Sequence, residues 1–201
     1  MKDGNVKVLL LGSAASGKTS ILQKYYGKPY RPYPTIGVEV TSNMLLKKDQ
    51  HVCIRFYDMG GARHWWWWIY HHVRDTDLVF LFYDVTRPET LDEAGELLAG
   101  LEKYRNQMRV ILVGNKTDRE EARKVSIFDA NKFLQQMKSQ GWSLYHIETN
   151  VYNITAFKRV LKKVMFGMAQ LNSRKQFATV GFGKETPDNR PAWSKYLFNW
   201  Q

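Results

Sequence analysis

The run Gly12-Ser13-Ala14-Ala15-Ser16-Gly17-Lys18-Thr19 has the residue types and the spacing needed to hold a polyphosphate. Its glycines permit backbone conformations with φ > 0, which let main-chain N–H groups close around an anion. The Lys18 ammonium can then reach the β and γ phosphates of a nucleoside triphosphate, and the Thr19 hydroxyl can ligate Mg²⁺. A helix starting here, with Ser20 in its first turn, points its positive N-terminal end at the phosphates. Ser13, Ala14, Ala15 and Ser16 form the loop whose backbone makes the cradle.

Four further segments follow in order: Pro34-Thr35-Ile36-Gly37, Asp58-Met59-Gly60-Gly61, Asn115-Lys116-Thr117-Asp118 and Glu148-Thr149-Asn150. The Asp118 carboxylate can accept hydrogen bonds from both the N1 hydrogen and the 2-amino group of guanine, a donor pair that adenine lacks. This favours GTP or GDP over ATP and argues against a phosphate-loop kinase. With the phosphate loop, these segments resemble the Ras superfamily of small GTPases over about residues 6–171.

The resemblance implies a role for each segment. Lys18, Thr35 and Gly61 would act on the γ-phosphate, Thr35 through its N–H in the triphosphate state and Gly61 through its own. Thr19 and Thr35 would ligate Mg²⁺, and Asp58 would hold it through water. Asn115 would fix the base loop, the alkyl stem of Lys116 would cover the ring, and the backbone near Asn150 and Val151 would reach the guanine O6. Tyr30 is placed to pack on the guanine edge.

The guanine loop Glu148-Thr149-Asn150-Val151-Tyr152 departs from the Glu-Thr-Ser-Ala-Lys of many relatives, and position 62 breaks the pattern where hydrolysis needs it. Small GTPases follow Asp-x-x-Gly with a glutamine that orients the attacking water, and this chain has Ala62. A methyl group neither donates nor accepts a hydrogen bond, so slow hydrolysis is expected. His64, two residues on, and Arg63 are the nearby polar substitutes. Next comes Trp65-Trp66-Trp67-Trp68, and because consecutive helical residues point about 100° apart, these rings cannot all face one core. An exposed pair would suit an effector or regulator surface together with the Thr35 loop; packing under the tail residues Trp193 and Trp200 is the alternative.

These residues need a scaffold, and the apolar runs supply one. Strand-like stretches at Val6 to Leu11, Val52 to Tyr57, Leu78 to Asp84 and Val110 to Asn115 are separated mostly by helical patterns. This predicts an α/β fold with a six-stranded, mostly parallel sheet covered by helices on both faces. Thr41 to Lys47, with Lys48-Asp49-Gln50-His51 as a hairpin loop, predicts one antiparallel edge strand. Thr19 to Tyr26 reads as a helix, and Asn153 can cap another whose apolar residues run Ile154, Phe157, Leu161, Val164, Met165, Met168. Residues 1–171 are expected to form the nucleotide-binding domain and 172–201 a partly flexible tail.

Composition narrows the class. The chain has 201 residues, 44% hydrophobic and 24% charged, which suits one globular domain. No apolar run approaches the roughly 18 residues needed to span a bilayer. Met1 to Asn5 carry no hydrophobic signal and precede the first predicted strand, so a cytoplasmic location is the expectation. The net charge of +11 is spread along the chain, which points away from nucleic acid and towards anionic lipid or acidic proteins. Lys2 stands where myristoylation requires glycine, and no cysteine lies near Gln201, so no intrinsic lipid anchor is expected. The subfamily signals are mixed: Pro34-Thr35-Ile36-Gly37 and Asp58-Met59-Gly60-Gly61 look Arf-like, whereas Phe82-Tyr83-Asp84-Val85-Thr86 looks Rab-like.

Overall fold

The computed structural model describes residues 2–30, 33–47 and 50–164. The chain divides into two compact units, residues 1–158 and 159–201. The first is built on six strands: β1 (Lys2–Gly12), β2 (Val38–Lys47), β3 (Gln50–Met59), β4 (Leu78–Asp84), β5 (Arg109–Asn115) and β6 (Leu144–Glu148). Between them run helices α1 (Lys18–Tyr25), α2 (Trp66–His72), α3 (Glu89–Gly100) and α4 (Ile127–Ser139). The sheet order is β2-β3-β1-β4-β5-β6. All neighbours are parallel except β2 and β3, which pair antiparallel from Val38↔Met59 to Lys47↔Gln50. The predicted fold class is therefore observed, with its antiparallel strand at the edge.

Burial follows from that order. Every residue of β4 is buried, and so is all of β5 after Arg109, because parallel strands inside a sheet are covered on both faces. Leu9, Leu11, Val79, Leu81, Ala94 and Leu98 belong to one core cluster. Tyr25, Phe56, Phe80 and Phe157 form an aromatic cluster, with ring centroids 4.5 Å apart for Phe80 and Phe157 and 5.6 Å for Tyr25 and Phe56. The fifth helix occupies residues 155–164, and Phe157, Leu161 and Val164 are buried at the predicted spacing. Met165, Met168 and the proposed tail lie outside the described residues.

Several boundaries differ from expectation, among them the start of β2 at Val38 and not at Thr41. β1 begins at Lys2, so the polar residues 2–5 are strand and not a leader to it, held by parallel pairing from Lys2↔Gln50 onward. Gln50 and His51, expected in the hairpin loop, belong to β3. In both places backbone pairing at the end of a sheet tolerates polar side chains, which side-chain polarity alone does not reveal. Helix α1 starts at Lys18, one residue before the predicted Thr19. Cys53 is a half-buried free thiol. Among the described residues no helix is long and apolar enough to cross a membrane.

Candidate functional site

The predicted motifs meet where β1, β3, β4, β5 and β6 end, the edge at which open α/β sheets bind ligands. The phosphate loop joins β1 to α1, and Gly17 caps α1 with φ +94° and no side-chain hydrogen bond. The free N–H groups of the first helical turn are thus left for an anion. Lys18 is 5% exposed, and its Nζ donates to the carbonyls of Gly12 and Ser13 at 2.9 Å each. Burial lowers its pKa to about 8, against the opposing pull of Asp58 and Glu93. An ammonium has three donors, so Lys18 keeps one for a phosphate oxygen.

The cation set is assembled from three segments. Thr19 Oγ1 at the start of α1 donates to Asp58 Oδ2 near the end of β3 at 2.5 Å, and it lies 2.9 Å from Thr35 Oγ1. Thr35 Oγ1 also donates to the same carboxylate at 3.4 Å. Burial pushes the Asp58 carboxyl up, while the Thr19 hydroxyl and Lys18 pull it back. Asp58 Oδ1, Ser13 Oγ, Ser16 Oγ and Asn115 Oδ1 are buried with no hydrogen-bond partner among the described residues. Two hydroxyls and one carboxylate suit a hard, six-coordinate cation that keeps waters and phosphate oxygens as its other ligands, as Mg²⁺ does. The residues present therefore fit Mg²⁺ and a polyphosphate. Chelating the metal is expected to speed release of bound nucleotide about ten-fold or more, read as loss of a fluorescent nucleotide.

The loops around Thr35 and Gly61 are stitched together. Gly60 N–H donates to the Gly37 carbonyl at 2.8 Å, and a Cβ on Gly60 would sit 2.8 Å from the Thr35 carbonyl. A Cβ on Gly61 would come within 2.5 Å of Ala14 N and Ser13 O, so the Gly61 backbone lies directly against the phosphate loop. Ala62, half-buried, opens a short 3₁₀ turn over Arg63–Trp65. Arg63 turns away towards α3: its guanidinium makes two bonds to Glu96, at 2.6 and 3.0 Å, lies 3.4 Å from Glu93 and covers the Trp66 ring. His64 is exposed with its ring against Trp65. Trp66 and Trp68 pack on the core cluster, whereas Trp67 is 51% exposed, its ring against those of Trp68 and His71. The tail residues Trp193 and Trp200 lie outside the described residues.

The base side is equally organised. Asn115 Nδ2 donates to the Ser16 carbonyl at 2.8 Å, tying the end of β5 to the phosphate loop. Lys116 takes φ +68°, and its Nζ reaches Asp84 Oδ2 at 2.5 Å. Burial would raise the Asp84 carboxyl, but the bonds from Lys116 and Thr86 hold it below the usual carboxylate range. Asn150 Nδ2 donates to Thr117 Oγ1 at 2.9 Å, and Thr117 Oγ1 donates to the Thr149 carbonyl at 3.2 Å. Asp118 stands exposed in this loop, Val151 is half-buried, and Tyr30 is 71% exposed. Sequence reading missed two supports: Asp84 as the partner of Lys116, and Arg123, whose guanidinium binds both oxygens of Glu148 at 2.8 and 3.0 Å. An acidic residue closing a buried apolar strand was a usable signal for Asp84; Arg123 had none.

A phosphate loop, a two-hydroxyl and carboxylate cation set, and an Asn-Lys-x-Asp loop on this sheet define a nucleotide-binding protein of the small GTPase type. Residues 7–168 match the Ras family model, and the chain belongs to that family. It is 27% identical over 187 residues to the Ras-related protein RABA5c of Arabidopsis thaliana, covering 92% of this chain and 85% of that one. It is 29% identical over 175 residues to Rab11C of Nicotiana tabacum, covering 86% and 77%. Similarity to Rab-28 of Caenorhabditis elegans is 32% over 134 residues, covering 62% and 53%.

Proposed function

We propose that this chain is a switch that binds GTP and GDP with Mg²⁺, works in membrane traffic or cytoskeletal transport, and hydrolyses GTP slowly without help. The observation that carries the slow step is Ala62, half-buried next to a Gly61 backbone that touches the phosphate loop. Lys18, Thr19, Thr35 and Asp58 would grip the phosphates and the metal, and Mg²⁺ bound there would neutralise charge on the phosphate oxygens. Asp118, Asn115, Lys116 and the loop at Asn150 and Val151 would select guanine. The triphosphate would order the loops at Thr35 and Gly61, presenting Ile36 and Trp67, which are 77% and 51% exposed, to effectors and regulators. The Rab names of the relatives support the trafficking reading. A cytoplasmic protein that touches anionic membrane through its basic surface, without binding nucleic acid, fits the +11 charge.

Ala62 also favours a second reading, a constitutively GTP-bound interaction module that does not turn over. The nucleotide released from protein purified without added ligand separates the two. GDP is expected for a working switch, and GTP for the module. Protein that carries no guanine nucleotide and binds none on addition would overturn both.

A further inference from the structure

β6 is the weakest support in the nucleotide site. It has five residues, lies at the sheet edge and, among the described residues, pairs only with β5, from Val110↔Leu144 to Gly114↔Glu148. Yet the loop that follows it, from Thr149, is the one that closes on Thr117 and faces the guanine side. Something besides one short ladder must fix its position.

Tyr83 of β4 provides that support from two strands away. Its Cα pairs with Gly114 of β5, where a Cβ would lie 2.6 Å from the Tyr83 hydroxyl. Only a glycine leaves the notch through which the phenol crosses β5. On the far side Tyr83 Oη hydrogen-bonds His146 Nε2 of β6 at 3.0 Å, the two rings lying 24° apart in plane. Tyr83 is fully buried and His146 half-buried. Burial pushes the phenol up and the imidazole down, so both are neutral at pH 7 and exchange one uncharged bond. Tyr83 also directly precedes Asp84, which holds Lys116, and His146 stands two residues before Glu148, which Arg123 holds. The bond thus links the strand that anchors one base loop to the strand that carries the other.

We infer that Tyr83 and His146 are positioning residues for guanine: their hydrogen bond across Gly114 sets the β6 loop against the Asn115–Asp118 loop and so governs retention of the base. This rests on the guanine-nucleotide reading above. It predicts a defect confined to the base, because the phosphate loop hangs from β1 and α1 and makes no use of β6.

The test measures GDP and ADP affinity, and GDP dissociation, for the full chain with Mg²⁺. Tyr83→Phe and His146→Leu should each release GDP about ten-fold faster, the scale of one buried hydrogen bond, with ADP affinity unchanged. The double variant should be no worse than either single one. His146→Gln, whose amide can occupy the place of Nε2, should keep the wild-type rate. Unchanged GDP release in Tyr83→Phe would overturn the inference, as would an equal loss of GDP and ADP, which marks general loosening. A wild-type protein that does not prefer GDP to ADP would overturn the guanine reading itself.

Discussion

Gly17→Ala is expected to weaken nucleotide binding severely. Gly17 holds φ +94°, a conformation that L side chains rarely adopt, and its Cβ would fall 2.1 Å from Asn115 Nδ2. That atom is no mobile tip: Asn115 is 1% exposed, and the same nitrogen donates to the Ser16 carbonyl. The methyl therefore strains the loop and breaks the tie between the phosphate loop and the base loop together. Backbone strain of about 1–3 kcal/mol plus a lost buried hydrogen bond of about 1 kcal/mol predicts about a 30- to 1,000-fold loss of GDP affinity. Gly27 and Gly37, both at φ +67° with nothing within 4 Å of an added Cβ, give the control: alanine there should cost only the conformational part. Titration calorimetry with GDP and Mg²⁺ decides it. Wild-type affinity in Gly17→Ala would mean that the cradle does not depend on this backbone geometry.

The phosphate loop and the Asn115–Asp118 loop were legible because each is a short run whose residues act together in sequence order. The sheet was legible for a related reason, since β4 and β5 are buried on both faces and read as unbroken apolar runs. β6 was not, because Leu144 to Glu148 are all half-buried and alternate no clear faces. Contacts made across the fold were hidden altogether. Arg63 meets Glu96 at a separation of 33 residues, Arg123 meets Glu148 at 25, and Tyr83 meets His146 at 63. Such pairs depend on strand order and register, which one sequence does not encode locally. The four tryptophans lie between these cases. Helical geometry requires some of them to point outward, but the choice of Trp67 follows from the phase set by Ile69, the buried residue of α2.

Ala62→Gln is expected to accelerate single-turnover GTP hydrolysis by about 10- to 100-fold, with little change in GTP affinity. The Gly61 backbone lies against Ala14 and Ser13, so the side chain at position 62 begins beside the place where the γ-phosphate would sit. A glutamine there brings one acceptor and two donors, enough to hold a water and orient it towards phosphorus. Because the added amide acts on the water and leaves the phosphate grip of Lys18 and Thr19 alone, the gain should fall on the rate and not on binding. The rival explanation for slow turnover is the tether from Arg63 to Glu93 and Glu96, which holds the start of this turn towards α3. If the tether limits the rate, Arg63→Ala alone raises hydrolysis and Ala62→Gln needs it to act. If the missing amide limits it, Ala62→Gln suffices and Arg63→Ala adds nothing. Unchanged hydrolysis in Ala62→Gln, with or without Arg63→Ala, would show that neither the side chain at 62 nor the tether sets the rate.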